Sequence, residues 1–239
     1  MPERKIGAIA VIVRFHNLAV RAPKMADLGA VTELMIACDS VESRITEPTA
    51  EDVRRAWQSA DFSLGTDAWV IATNQGRLVG YADVRSEKQG ELLSVIRVHP
   101  EYRGRGIGTL LIWLIEDRAR QISRCQDKEQ RISLVLTVSS IDQGGRHLLE
   151  REGYSVARHF WRLVIDIDEV SRTAQEASEG ERKLKLDLVI DSRSLLGEEA
   201  SYHRTGMYVA HQYDVYEKVL REGRKASVEG MREHDIVNV

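Results

Sequence analysis

A chain of 239 residues, 43% apolar and 30% charged, has a globular composition with room for one large domain, or one domain and part of another. Lys and Arg number 34 against 37 Asp and Glu, and the net charge of −3 leaves no basic excess to neutralise a nucleic-acid backbone. Two cysteines, Cys38 and Cys125, make neither a disulfide framework nor a metal-ligand pattern, which suits a reducing cytoplasm.

Eight apolar residues from Ile6 to Val13 are too few to span a bilayer, and no small-residue cleavage site follows them. They read as a strand or a leader extension, and no membrane association is expected. Leu18 to Ala22 reads as a short strand stopped by Pro23. Asp27 can cap a helix whose apolar positions Leu28, Val31, Leu34, Met35 and Cys38 recur at helical spacing. A second helix follows Pro48, where Thr49 and Asp52 stand three apart as in a capping box.

Strands are expected at Ala68 to Thr73 and Leu78 to Arg85, joined through Asn74-Gln75-Gly76, and again at Leu92 to Val98 before Pro100. A long helix over 106–122 carries Ile107, Leu110, Leu111, Leu114, Ile115, Ala119 and Ile122 in one stripe. Ile132, Leu134, Leu136 and Val138 alternate as in a strand. A short helix at 144–151 ends at Gly153, and β-branched and aromatic residues through Ile167 suggest one or two more strands.

The segment Arg103-Gly-Arg-Gly-Ile-Gly108 places three glycines at alternate positions between a strand and an amphipathic helix. Glycine admits positive φ and close approach of the backbone, and the first turn of a helix presents unpaired N–H groups backed by the dipole. The result is a cradle for a phosphate or pyrophosphate, with Arg103 and Arg105 adding fixed charge. Thr109 stands where a dinucleotide fingerprint needs its third glycine, and no lysine follows Gly108, so both nucleotide-loop readings fail on residues.

Arg103-x-x-Gly106-x-Gly108, after a strand ending Val98-x-Pro100 and before a Leu-rich helix, resembles the acyl-CoA-binding motif of the GNAT superfamily of N-acetyltransferases. Leu148-Leu-Glu-Arg-Glu-Gly-Tyr154 resembles that family's second signature. The resemblance covers 18–168 and implies an α/β fold: a mixed, mostly antiparallel central sheet flanked by helices. It implies acetyl-CoA as acyl donor, with main-chain groups of Ile96 and Val98 toward the pantetheine arm. Backbone N–H groups of Arg103, Gly104, Arg105, Gly106, Ile107, Gly108 and Thr109 would hold the pyrophosphate. Asp142 falls where many members place an Asn.

Acetyl transfer in such proteins needs a base for the ammonium, a hydrogen bond to the oxyanion and an acid for the thiolate. The family's acid is a Tyr directly before the Glu of the second signature, and Leu149 stands there. Tyr154 falls at a packing position. Glu91, Asp83 and His99 lie on or beside the central strands as unassigned candidates for the base. Trp57, Phe62 and Trp69 read as core aromatics or as walls of an acceptor pocket.

Residues 169–181 read as a polar linker. Beyond it, Leu184, Leu186, Leu188 and Ile190 repeat the earlier alternation. Residues 202–213 can be laid on 149–160, with Arg204, Gly206, Val209 and Ala210 matching Arg151, Gly153, Val156 and Ala157. This suggests a partial strand–helix–strand repeat at 182–222 and a tail at 223–239, and it resembles tandem GNAT proteins of the mycothiol synthase kind with a truncated second copy. Such a fragment exposes sheet edge unless it completes the first sheet, in cis or by exchange within a homodimer. Two functions fit the whole: a cytoplasmic N-acetyltransferase acting on an amine, or an acetyl-CoA-binding module that does not catalyse.

Overall fold

Residues 17–41, 49–87, 90–167, 184–191 and 208–223 are described by the structure, a computed structural model. Their strands are β1 (Leu18–Arg21), β2 (Ala68–Thr73), β3 (Leu78–Ser86), β4 (Glu91–Val98), β5 (Ile132–Ser139), β6 (Ser155–Ile167), β7 (Leu184–Asp191) and β8 (Tyr208–Arg221). They form one sheet in the order β1-β2-β3-β4-β5-β8-β6-β7. Every neighbouring pair is antiparallel except β4 and β5. The helices are α1 (Leu28–Val41), α2 (Ala50–Trp57), a single turn α3 (Leu64–Asp67), α4 (Ile107–Cys125) and α5 (Gln143–Arg151). None of them is long and apolar enough to cross a membrane.

The two larger cores follow from the alternation of the strands. On one face, α1 and α2 bury Leu28, Val31, Leu34, Cys38, Val53 and Trp57 against Val70, Ala72, Tyr81 and Val95. On the other, α4 and α5 cover Ile71, Val79, Leu92, Leu134, Leu136 and Tyr216. The buried stripe of α4 is Ile107, Leu111, Ile112, Ile115 and Ala119, while Leu110, Leu114 and Ile122 lie at its margin. Each large aliphatic in that stripe contributes about 1.5–3 kcal/mol by burial, so packing rather than helix propensity sets where α4 lies.

The expected caps are partly rearranged. Thr49 Oγ1 accepts the Asp52 N–H at 3.2 Å while the Asp52 carboxylate accepts the Thr49 N–H at 3.2 Å, a complete capping box on α2. Asp27 instead closes a 3-10 turn at Met25–Asp27 ahead of α1. Its carboxylate accepts from the Lys24 N–H at 2.7 Å and from both terminal nitrogens of Arg21 at 2.6 and 2.8 Å. The region expected to hold one or two strands up to Ile167 is a single 13-residue strand, β6.

The strands expected of a second unit at 182–222 are present as β7 and β8, but they lie in the first unit's sheet. β8 separates β5 from β6 and pairs with both, Ser139 facing Tyr213 on one side and Phe160 facing Tyr213 on the other. The two stretches matched in sequence at Phe160 and Tyr213 are therefore direct neighbours, and β7 and β8 extend the same sheet within the one chain. Lys218 on β8 fastens this arrangement: its ammonium donates to Glu116 of α4 at 2.6 Å and to the Glu152 carbonyl at 2.7 Å. The expected boundary at 168/169 thus does not divide the sheet. The Ile6–Val13 segment, the linker at 169–181, the helix expected between β7 and β8, and the tail beyond 223 lie outside the described residues.

Candidate functional site

The parallel pair β4–β5 holds together only over Glu91–Ser94 against Ser133–Leu136. Beyond Ser94 and Leu136 the two strands part, leaving a fork at their C-terminal ends. A cleft of about 490 Å³ occupies this fork, walled by Ile96 and Val98 on β4, Leu136, Thr137 and Val138 on β5, Ile112 on α4 and Leu148 and Leu149 on α5.

At its mouth the chain leaves β4 through a 3-10 turn, Pro100–Tyr102, and enters α4 at Gly106. Gly106 has φ +88°, a left-handed conformation that a side chain would strain. No side chain caps α4, so the first-turn N–H groups of Ile107, Gly108 and Thr109 point out of the helix without a capping acceptor. Gly108 is required for a different reason: a Cβ there would sit 2.7 Å from Leu148 Cδ2, so its absence lets α5 close on the start of α4.

The Val98 carbonyl accepts from the Cys38 thiol at 3.3 Å and from Arg103 Nε at 3.4 Å, and the Ile96 carbonyl accepts from Arg97 Nη1 at 3.1 Å. Arg103 Nη1 also lies 3.9 Å from Asp142 across the cleft, and Asp142 caps α5 by accepting the Gly145 N–H at 3.0 Å. Ile96, Val98, Arg103, Gly104, Gly106, Ile107, Gly108 and Thr109 therefore meet on one cleft, as do Asp142 and Leu149. Arg105 does not line it. Its guanidinium donates to the Glu101 carbonyl at 3.0 Å and stacks 4.7 Å above the Tyr102 ring.

None of the three sequence candidates for a base lies on this cleft. Asp83 is fully buried, accepting from Tyr81 Oη at 2.7 Å, Arg85 Nη2 at 2.8 Å and the Val95 N–H at 3.3 Å. Glu91 stands at the closed end of the β4–β5 pair, 3.5 Å from Arg158. His99 follows β4 outside the fork, with Arg77 Nη2 donating to its Nε2 at 2.8 Å. Burial and then the Arg77 charge hold its imidazole below the ordinary histidine range. Tyr154 is core, as expected from its position; burial pushes its phenol well above the usual tyrosine range. Trp57 is core too, its indole N–H donating to Tyr81 Oη at 2.9 Å.

Sequence reasoning missed Cys38, Thr137 and Arg151 as cleft residues. Cys38 repeats with the helical core of α1, and Thr137 alternates with core residues of β5, so neither carries a local signal. Arg151, whose Nη2 donates to Thr109 Oγ1 at 2.7 Å, could have been suspected from its place in the second signature.

A family model described as the acetyltransferase (GNAT) family matches residues 30–154. A mycothiol acetyltransferase from Saccharopolyspora erythraea is 31% identical over 108 residues, which are 44% of this chain and 36% of that protein. The chain thus matches little more than a third of that relative's length. A GCN5-related N-acetyltransferase from Sphaerobacter thermophilus superposes with a TM-score of 0.74 at 19% identity, over 89% of this chain and 98% of that one. Residues 18–168 alone could not supply that coverage, so the likeness extends into the C-terminal strands. The yncA structure from Salmonella typhimurium, solved with acetyl-CoA, matches at a TM-score of 0.53 and 19% identity over 89% of this chain and all of that one.

Proposed function

Since the chain belongs to the GNAT acetyltransferase family, we propose that it transfers an acetyl group from acetyl-CoA to a primary amine of a small molecule or peptide, by direct attack. The observation that carries this reading is the cleft itself. It has an uncapped helix N-terminus at one end and an apolar fork between diverging parallel strands at the other.

The residues suit the donor part by part. A pyrophosphate would take the free N–H groups at Ile107, Gly108 and Thr109, with Arg103 and Arg151 nearby as counter-charges. The pantetheine arm, a chain of amides, would take the Ile96 and Val98 carbonyls in place of the side chains now on them. The thiol end would then lie past Ile96, among Ile112, Leu136 and Leu149. A neutral amine attacks the thioester carbonyl carbon, the carbon–sulfur bond breaks with its electron pair on sulfur, and the nitrogen loses a proton to give the amide. Once a bound donor fills the fork, its apolar side chains would exclude water and strengthen the hydrogen bonds made to the developing charge.

Leu149 favours a second reading, an acetyl-CoA-binding module without turnover. It is 3% exposed and lines the cleft where the family's acid stands, and leucine has no proton to give. Thiol release from acetyl-CoA, followed with amino acids, amino sugars, polyamines and short peptides, separates the two. Saturable amine-dependent release is expected. Binding of acetyl-CoA without release by any amine class would favour the module.

A further inference from the structure

With Leu149 in the acid's place, some other group must meet the charge that arrives on sulfur. We propose that Thr137 is a catalytic residue whose hydroxyl donates a hydrogen bond to the departing CoA sulfur. The inference rests on the acetyl-CoA reading above. Three observations carry it.

The first is level. Parallel pairing ends at Ser94 and Leu136, so Thr137 is the first β5 residue past the point where the strands part, level with Val95. An arm held at Val98 and Ile96 ends at this level. The second is surroundings. Ile96, Ile112, Leu136 and Leu149 make one wall of the inner cleft apolar, and Thr137, alternating with Leu136, stands on the opposite face of β5 at the edge of that wall, level with Val95. The other thiol and hydroxyl groups with partners on the cleft lie farther out: Cys38 donates to the Val98 carbonyl, and Thr109 accepts from Arg151.

The third is availability. Thr137 is half-buried, and among the described residues its hydroxyl has no side-chain hydrogen-bond partner. The chemistry needs a hydrogen bond rather than a proton transfer from threonine. When the carbon–sulfur bond breaks, the electron pair stays on sulfur and the thiolate accepts from Thr137 Oγ1, which keeps its proton. The proton lost by the nitrogen passes to water, and the thiolate takes one from water on leaving, as a thiol of weak acidity (about 8.5 for a cysteine) readily does. A thiolate is stable enough near neutrality for this to suffice where an alkoxide would demand an acid.

The test needs no knowledge of the acceptor. The ultraviolet absorbance of the CoA thiolate is titrated with pH in complexes with the unmodified protein, Thr137→Val and Thr137→Ser. A hydrogen bond to the charged form lowers a pKa. Thr137→Val, which preserves shape, should therefore raise the bound thiol's pKa by roughly one unit, and Thr137→Ser should leave it in place. The charged and titratable groups that line the cleft, Cys38, Arg97 with Asp39 behind it, Tyr102, Arg103, Asp142 and Arg151, are the same in all three proteins, so only the CoA thiolate differs between their titrations.

Hydroxylamine serves as the acceptor for the rate, because it is already neutral at pH 7 and needs no base. Its acetylation should fall roughly tenfold or more in Thr137→Val and no more than a few-fold in Thr137→Ser. Equal titrations in all three complexes, or equal loss of rate in both variants, would overturn the assignment. Failure of the unmodified protein to bind acetyl-CoA would instead overturn the reading on which it rests.

Discussion

Replacing Tyr81 with phenylalanine removes one oxygen from the middle of a buried chain. Trp57 Nε1 donates to Tyr81 Oη at 2.9 Å, Tyr81 Oη donates to Asp83 Oδ2 at 2.7 Å, and Tyr81 and Asp83 are both fully buried. The variant loses two hydrogen bonds of about 1 kcal/mol each and leaves the indole N–H without a partner, at a further cost of about 1–3 kcal/mol. Asp83 keeps Arg85 at 2.8 Å and the Val95 N–H at 3.3 Å, so its carboxylate is not stranded. The sum is roughly 3–5 kcal/mol, which at an m-value of about 2 kcal/mol/M lowers the urea midpoint by about 1.5–2.5 M. Pairing it with Trp57→Phe makes the test sharper, since that change deletes the stranded donor. The double variant should cost less than the sum of the singles by about 1 kcal/mol or more. Additive losses, or a single-variant loss below about 0.5 kcal/mol, would refute the chain as a unit and with it the placement of Asp83 as a structural carboxylate.

Gly106→Ala forces a side chain into φ +88° at the start of α4, and should cost about 1–2 kcal/mol by denaturation while weakening acetyl-CoA in calorimetry. Unchanged affinity would mean that the loop's conformation does not matter for the donor. Ending the chain after residue 167 removes β8 from between β5 and β6, and should give an aggregating or unfolded product by circular dichroism and gel filtration. A stable monomer would contradict the single sheet. The Arg21 guanidinium, chiefly through its hydrogen bonds, holds the Asp27 carboxyl below its ordinary range. Its folded pKa is thus lower than its unfolded one, and its contribution is full above the unfolded value and lost as pH falls through the folded one. The stability gap between the unmodified protein and Asp27→Asn should therefore be present at neutral pH and close, in denaturation series, as acid takes the pH below the ordinary carboxylate range. A gap that widens in acid would reverse the sign.

Local features were legible in the sequence. The Thr49–Asp52 capping box, the turn at Gly76, the α4 stripe and the glycine loop all depend on residues a few positions apart, and the structure holds each of them. The family signature placed most of the cleft through Arg103, Gly106 and Gly108. Long-range pairing was not legible. Nothing within 208–221 indicates that this strand inserts between β5 and β6 rather than starting a second sheet, because its alternation suits either neighbour. The candidates for the base failed for a related reason. Glu91 and Asp83 lie on the central strands, but distance from the fork is fixed by the register between strands, and that places Glu91 at the closed end and Asp83 under Tyr81 and Arg85. Thr137 was missed for the same cause, since only the end of parallel pairing at Leu136 gives it significance.

The central claim is that the fork between β4 and β5, with the uncapped start of α4 at its mouth, receives acetyl-CoA. Calorimetric titration with acetyl-CoA, run beside CoA without the acyl group, tests it most directly. Saturable binding with a Kd on the order of micromolar for both ligands, lost or much weakened in Gly106→Ala, is the predicted result. Absence of heat at about millimolar concentrations of either ligand would contradict it.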